Sequence, residues 1–290
     1  MNGYVIFTDS SCDISPEALA EWGVESLSLT FRFGDSDKEY CNGDMNIADF
    51  YQKMRDGGVA KTSAVNMQSF KEAFEKILED GRDILYIGFS SGLSTTYNSA
   101  ASAARMLCGD YPERKIITID SLAASAGLGL LVKLAAEKRD GGYPIEEVAS
   151  YIEGIKLRLC HWFTVEDLMY LKRGGRVSPT AAIVGNMLGI KPILHVDDAG
   201  HLVNVSKIRG RKPSVVALAD KYDELADPDF KKVFISHGDC IADAEYLASL
   251  IEAKHGVKAE IITHVGSVIG AHSGPGTLAL FFVSRDVVQR

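Results

Sequence analysis

Ile84-Leu85-Tyr86-Ile87-Gly88-Phe89-Ser90-Ser91-Gly92-Leu93-Ser94-Thr95-Thr96 decides the fold. Its first residues form a short apolar run, the pattern of a strand buried on both faces. A turn of glycine and hydroxylated residues follows, and residues 94–108 then read as an Ala-rich helix. Strand, tight turn and helix form the unit from which parallel sheets are built. Upstream, Tyr4-Val5-Ile6-Phe7 is a second short strand ending in the turn Thr8-Asp9-Ser10-Ser11, and Ser15-Pro16 supplies an N-cap and a proline at the first helical position. Val24, Leu27, Leu29, Phe31 and Phe33 fall mostly two apart, which predicts one half-buried strand. Helices are expected over 47–56 and 67–80, the second with Phe70, Phe74, Ile77 and Leu78 on one face. Downstream come a strand at Ile116-Ile117-Thr118-Ile119 and a helix over 123–138. This alternation predicts a parallel sheet with helices on both faces.

Asp140-Gly141-Gly142-Tyr143-Pro144 breaks the chain, and a helix over 145–158 follows. Beyond it the texture changes. Ile193-Leu194-His195-Val196 and Leu202-Val203-Asn204-Val205 flank Asp197-Asp198-Ala199-Gly200, a hairpin signal. Val233-Phe234-Ile235-Ser236 and Ala259-Glu260-Ile261-Ile262 bracket a helix over 241–255, and Leu278 to Val283 is a last apolar strand. A hairpin plus a crossover implies a mixed sheet. The expected fold class is therefore α/β in two domains: residues 1–158 with a parallel sheet flanked by helices, and 159–290 with a mixed α/β sheet. The sequence contains no internal repeat.

The chain has 290 residues, 46% of them apolar and 24% charged, a globular rather than a disordered composition. A net charge of −8 argues against a general nucleic-acid binder. No apolar run approaches the ~20 residues that span a bilayer, and the first residues lack the basic and long apolar regions of a secretion signal. The five cysteines are scattered and odd in number, so neither a disulfide framework nor a zinc site is expected. A cytoplasmic location follows as an expectation.

Polar chemistry concentrates just after strands, at Thr8-Asp9-Ser10-Ser11, Lys61-Thr62-Ser63-Ala64, Ser90 to Thr96, and Asp120-Ser121. The carboxyl ends of parallel strands are where ligands bind, and hydroxyls with helix-start N–H groups can hold an anion. The bland alternative is that each cluster is an ordinary N-cap. Gly88-Phe89-Ser90-Ser91-Gly92 also fits the G-x-S-x-G nucleophile elbow, with Asp239 and His272 following in order; a serine hydrolase acting on acyl esters is thus an alternative. The post-strand hydroxyls leave open a phosphosugar or nucleotide enzyme as well. His272 stands in the Gly-Pro-Gly loop of Ala271-His272-Ser273-Gly274-Pro275-Gly276-Thr277. Leu171-Lys172-Arg173-Gly174-Gly175-Arg176-Val177-Ser178-Pro179 is a basic loop in an acidic chain, either a solvated loop or a docking surface.

Along its whole length the chain resembles the DegV family, the fatty-acid-binding proteins that serve bacterial fatty acid kinases. The resemblance is carried in order by Thr8-Asp9-Ser10-Ser11-Cys12-Asp13, Thr62-Ser63, Ser90 to Tyr97, Asp120-Ser121, Leu171 to Ser178, Gly189-Ile190-Lys191-Pro192-Ile193-Leu194 and His272 to Gly276. It implies a ligand between the two domains, with Thr62, Ser94 and His272 on the fatty acid carboxylate and Ser63, Ser91 and Thr95 in support. It implies that Arg173 and Arg176 face the kinase, which makes the acyl phosphate. The chain itself is then not an enzyme and needs no catalytic residue, metal or cofactor. Its partners would be a long-chain fatty acid and a fatty acid kinase, not nucleic acid; transient contact with a membrane surface is a further expectation. Two departures bear on the head-group geometry: Ala64-Val65-Asn66 where the family has a Gln-Pro-Ser type segment, and Thr95 where it has glycine. A head group held by hydroxyls and an imidazole avoids burying an unpaired cation. Candidate slot walls are the segment 181–188, the region of Ile269 and Leu278, and Leu27 or Leu29.

Overall fold

The computed structural model describes residues 3–34, 36–177 and 189–288; the segment 181–188, offered above as a slot wall, lies outside them. In chain order the first strands are β1 (Tyr4–Asp9), β2 (Val24–Leu27), β3 (Thr30–Phe33), β4 (Tyr40–Cys41), β5 (Ala60–Ser63), β6 (Asp83–Gly88) and β7 (Ile116–Asp120). The remainder are β8 (Leu159–Thr164), β9 (Ile190–Val196), β10 (Leu202–Arg209), β11 (Phe234–His237), β12 (Ile261–His264) and β13 (Leu278–Val283). They form three sheets.

The first has the order β2-β1-β6-β7 and is parallel throughout. Its central strands are apolar on both faces, as helices packed on either side require. The second has the order β10-β9-β8-β13-β11-β12, antiparallel except for the parallel β11–β12 pair. The fold is thus the expected two-domain α/β arrangement, with a parallel sheet and a mixed one. A third, small antiparallel sheet, β4-β3-β5, was not anticipated.

Helix Ala126–Asp140 joins the two large sheets. It is buried on nearly every side, as a helix apolar all round must be. Glycines let it approach both neighbours: a Cβ on Gly127 would come within 2.6 Å of Phe281, and one on Gly129 within 2.5 Å of Ile14. Helix Met67–Glu79 buries Phe70, Phe74, Ile77 and Leu78 as its spacing foretold.

Three expectations change. The strand predicted from Val24 to Phe33 breaks at Ser28-Leu29, because Ser10 Oγ accepts from Leu29 N at 3.0 Å and Ser28 Oγ from Asn42 N at 3.0 Å. Those side-chain bonds replace ladder bonds, so β2 joins the parallel sheet and β3 the small one. The helix after Pro144 ends at Ile155, and the next turn is a 3₁₀ turn leading into β8. Helix Arg211–Leu225 was not anticipated, although Val215, Leu218, Ala219 and Tyr222 mark its buried stripe.

Candidate functional site

A cavity of about 510 Å³ lies between the carboxyl ends of β6 and β7 and one face of the mixed sheet. That is within the ~300–1,000 Å³ usual for small-ligand sites. Alternate residues of the strands supply one wall: His161 and Phe163 from β8, Ala279 and Phe281 from β13, Ser236 from β11. Leu29, Phe89, Leu93, Val196, Leu202, Val265, Val268 and Ile269 make most of the remainder apolar. Of the proposed walls, Leu29 and Ile269 line it. Leu278 does not, because it points to the opposite face of β13, into the core beneath helices Arg211–Leu225 and Ile241–His255; Leu27 packs against the core of the parallel sheet.

Polar side chains gather around Thr62 and His272. Thr62 Oγ1 and His272 Nε2 lie 2.8 Å apart, and Ser91, Ser94, Thr95 and Arg176 line the same space. The small sheet brings Thr62 there. Phe31, paired with Thr62 across β3 and β5, packs with Phe50, Tyr51, Met54 and Ala271 in one aromatic cluster. Ala271 adjoins His272 in helix Ser267–Ser273, so that cluster sets the strand and the imidazole side by side. Ser94 Oγ accepts from Thr96 N at 3.2 Å in the turn that leads into helix Thr96–Asp110. The loop before that helix is fixed from below by Asp9. This fully buried carboxylate accepts from Phe89 N at 3.0 Å, Tyr86 Oη at 2.8 Å and Ser11 N at 3.1 Å.

The basic loop closes the polar end. Gly174 lies flat against the His272 ring, where a Cβ would overlap Nδ1. Arg176 donates to Leu93 O from Nε at 3.2 Å and from Nη2 at 3.0 Å, and from Nη1 to Gly174 O. Burial, and then the nearby charge of Arg176, lower the His272 pKa to about 4, so the ring is neutral at pH 7.

Not every expected site residue arrives here. Ser63 alternates away from Thr62 on β5 and meets Glu39 on the surface at 3.4 Å. Arg173 is exposed, stacked over Tyr170, but Arg176 is turned inward by its bonds to Leu93 and Gly174 and is not a free docking residue. The head-group end thus contains a cation that the hydroxyl-and-imidazole expectation lacked. The Ser90, Asp239 and His272 relay does not form. Ser90 Oγ donates to Gly200 O at 2.9 Å, Asp239 pairs with Arg55 at 2.6 Å, and His272 faces Thr62. Among the described residues there is no cluster of His, Cys, Asp or Glu that could hold a metal, and no helix long and apolar enough to cross a membrane.

Two α/β lobes enclosing a largely apolar cavity, with polar side chains along parts of its wall, define a class of cavity-containing folds. The family model described as "Uncharacterised protein, DegV family" matches residues 4–285, and the chain belongs to that family. It is 42% identical to a DegV domain-containing protein of Clostridium perfringens, over 98% of each chain. It is 33% identical to a fatty acid-binding protein of Thermotoga maritima, over 94% of this chain and 95% of that one. Among solved structures, a stearic acid-binding protein from Eubacterium ventriosum superposes with a TM-score of 0.88 at 27% identity, covering 97% of this chain and 98% of that one.

Proposed function

We propose that this chain binds one long-chain fatty acid between its lobes, divided at 158/159, and presents the carboxylate to a separate fatty acid kinase. The observation that carries this reading is the polar group of Thr62, Ser94, His272 and Arg176, set in a largely apolar cavity. At ~0.8 kcal/mol per buried CH₂, about 14 methylenes contribute roughly 11 kcal/mol, from which ordering costs subtract several. The hydroxyls of Thr62 and Ser94 donate to the carboxylate, and Thr95 and Ser91 border them. His272 orients Thr62, and Arg176 supplies the positive charge that a neutral imidazole cannot. Relatives named for binding fatty acid or stearic acid support the ligand class.

In this reading the protein is a carrier and not an enzyme, works in the cytoplasm, and meets a membrane surface only transiently. The kinase acts on the acid while it is bound. Exposed Arg173 belongs to the docking face, next to the loop that backs His272. Titration of carboxyl-¹³C oleate, followed by NMR, tests the head-group assignment. A single shifted, slowly exchanging resonance that Ser94→Ala and Thr62→Val perturb is expected; a resonance identical to free oleate would refute it. Arg173→Glu should retain oleate binding and lose acyl phosphate formation in the presence of the kinase. Undiminished kinase turnover would remove the docking assignment.

A further inference from the structure

The cavity contains a second polar locus that the carboxylate does not need. Ser125, from the turn before helix Ala126–Asp140, and Ser236, from β11, both line it, with their hydroxyls 2.9 Å apart. They come from elements other than those that hold Thr62, Ser94, His272 and Arg176. Ser236 pairs with Ala279, one alternation beyond Thr277 and one before Phe281, which pairs with His161. The two hydroxyls bond to each other and to Asp13, not to Thr62, Ser94, His272 or Arg176.

The hydrogens of this pair can be counted. Each hydroxyl has one hydrogen and two lone pairs. Ser125 Oγ donates to Asp13 Oδ2 at 2.5 Å, which uses its only hydrogen. The Ser125–Ser236 bond must then take its hydrogen from Ser236. Both hydrogens are spent, and what remains toward the cavity is lone pairs: an acceptor with no donor. A second observation concerns unused polar capacity. Ser273 Oγ, which also lines the cavity and is 5% exposed as a residue, has no hydrogen-bond partner. A slot for methylenes alone would be better walled by alanine or valine, since buried polar groups with unused capacity cost free energy.

Building on the fatty acid reading, we infer that Ser125 and Ser236 form a subsite for an alcohol on the acyl chain, so that the preferred ligand class is a hydroxy fatty acid whose alcohol lies at the carbon that meets the pair. The ligand hydroxyl donates to the serine pair. A ketone at the same carbon, which only accepts, gains nothing there. The polarity holds while Asp13 is ionised, and because burial raises its pKa to about 7 the comparison belongs at pH 8.

The test measures binding by calorimetry at pH 8 for stearic acid, a positional series of monohydroxystearic acids and the matching oxostearic acids. It uses the wild-type protein, Ser236→Ala and Ser273→Ala. One hydroxy isomer should bind roughly fivefold tighter than stearic acid, the weight of one neutral hydrogen bond. Its oxo counterpart should show no gain, and the hydroxy-to-stearic ratio should fall to about one in Ser236→Ala. If stearic acid binds at least as well as every hydroxy isomer, the subsite is overturned while the fatty acid reading stands. A gain that survives in Ser236→Ala but disappears in Ser273→Ala overturns the assignment to the serine pair. Failure of stearic acid itself to bind overturns the fatty acid reading.

Discussion

Gly174→Ala isolates the coupling between the basic loop and the head-group site. Gly174 has φ −72°, a value any residue adopts, so alanine brings no backbone strain. Its only consequence is steric, since the new Cβ would overlap His272 Nδ1. To restore a normal contact of ~3.5 Å the ring must retreat by roughly 1 Å. The Thr62–His272 bond, now 2.8 Å, then exceeds hydrogen-bond length, and Thr62 loses the partner that orients it. Losing one charge-assisted bond to the carboxylate costs ~1.5–3 kcal/mol, or roughly ten- to a hundredfold in affinity. Calorimetric titration with oleate measures this. Gly175→Ala is the control: Gly175 has φ +71° and nothing near its Cβ, so alanine there strains the backbone without touching the ring. Wild-type oleate affinity in Gly174→Ala would refute the idea that the His272 ring position governs binding.

Other substitutions and pH probe the same account. Thr62→Val keeps the shape and removes the hydroxyl facing His272; oleate affinity should fall about tenfold by calorimetry with little change in melting temperature. Asp9→Ala leaves Phe89 N, Tyr86 Oη and Ser11 N without their acceptor, and denaturant unfolding should show a loss of about 3 kcal/mol or more. Ser90→Ala removes the hydrogen bond to Gly200 O and the acceptor for Gly92 N, a loss of ~1–2 kcal/mol in the same assay. His272, with a folded pKa of about 4 against the ordinary 6.5, should not titrate by NMR near pH 6.5; the stability it carries is full above 6.5 and is lost as pH falls through about 4.

Much of the fold could be read from local signals, and what could not has physical causes. The β-turn-α units at Ile84–Thr96 and Ile116–Asp140 and the Asp197–Gly200 hairpin are encoded by short-range pattern, and they appear where expected. β8 was missed because Leu159–Thr164 is buried on both faces and carries no alternation. The small sheet was missed because β4 and β5 are short and polar, and their pairing is decided by the aromatic cluster around Phe31. At the site, motif position suggested Thr62 and His272, which the fold brings into contact across 210 residues of sequence. The inward turn of Arg176 depends on Leu93 O, a backbone atom far away in sequence, so a basic loop alone could not distinguish it from exposed Arg173. The Ser125–Ser236 pair depends on strand register, which no local motif records.

Organic extraction of the natively purified protein, followed by mass spectrometry, tests the carrier account most directly. The account predicts one long-chain fatty acid per chain, displaced by added palmitate or oleate. A protein that yields no lipid and also refuses both added acids would contradict it.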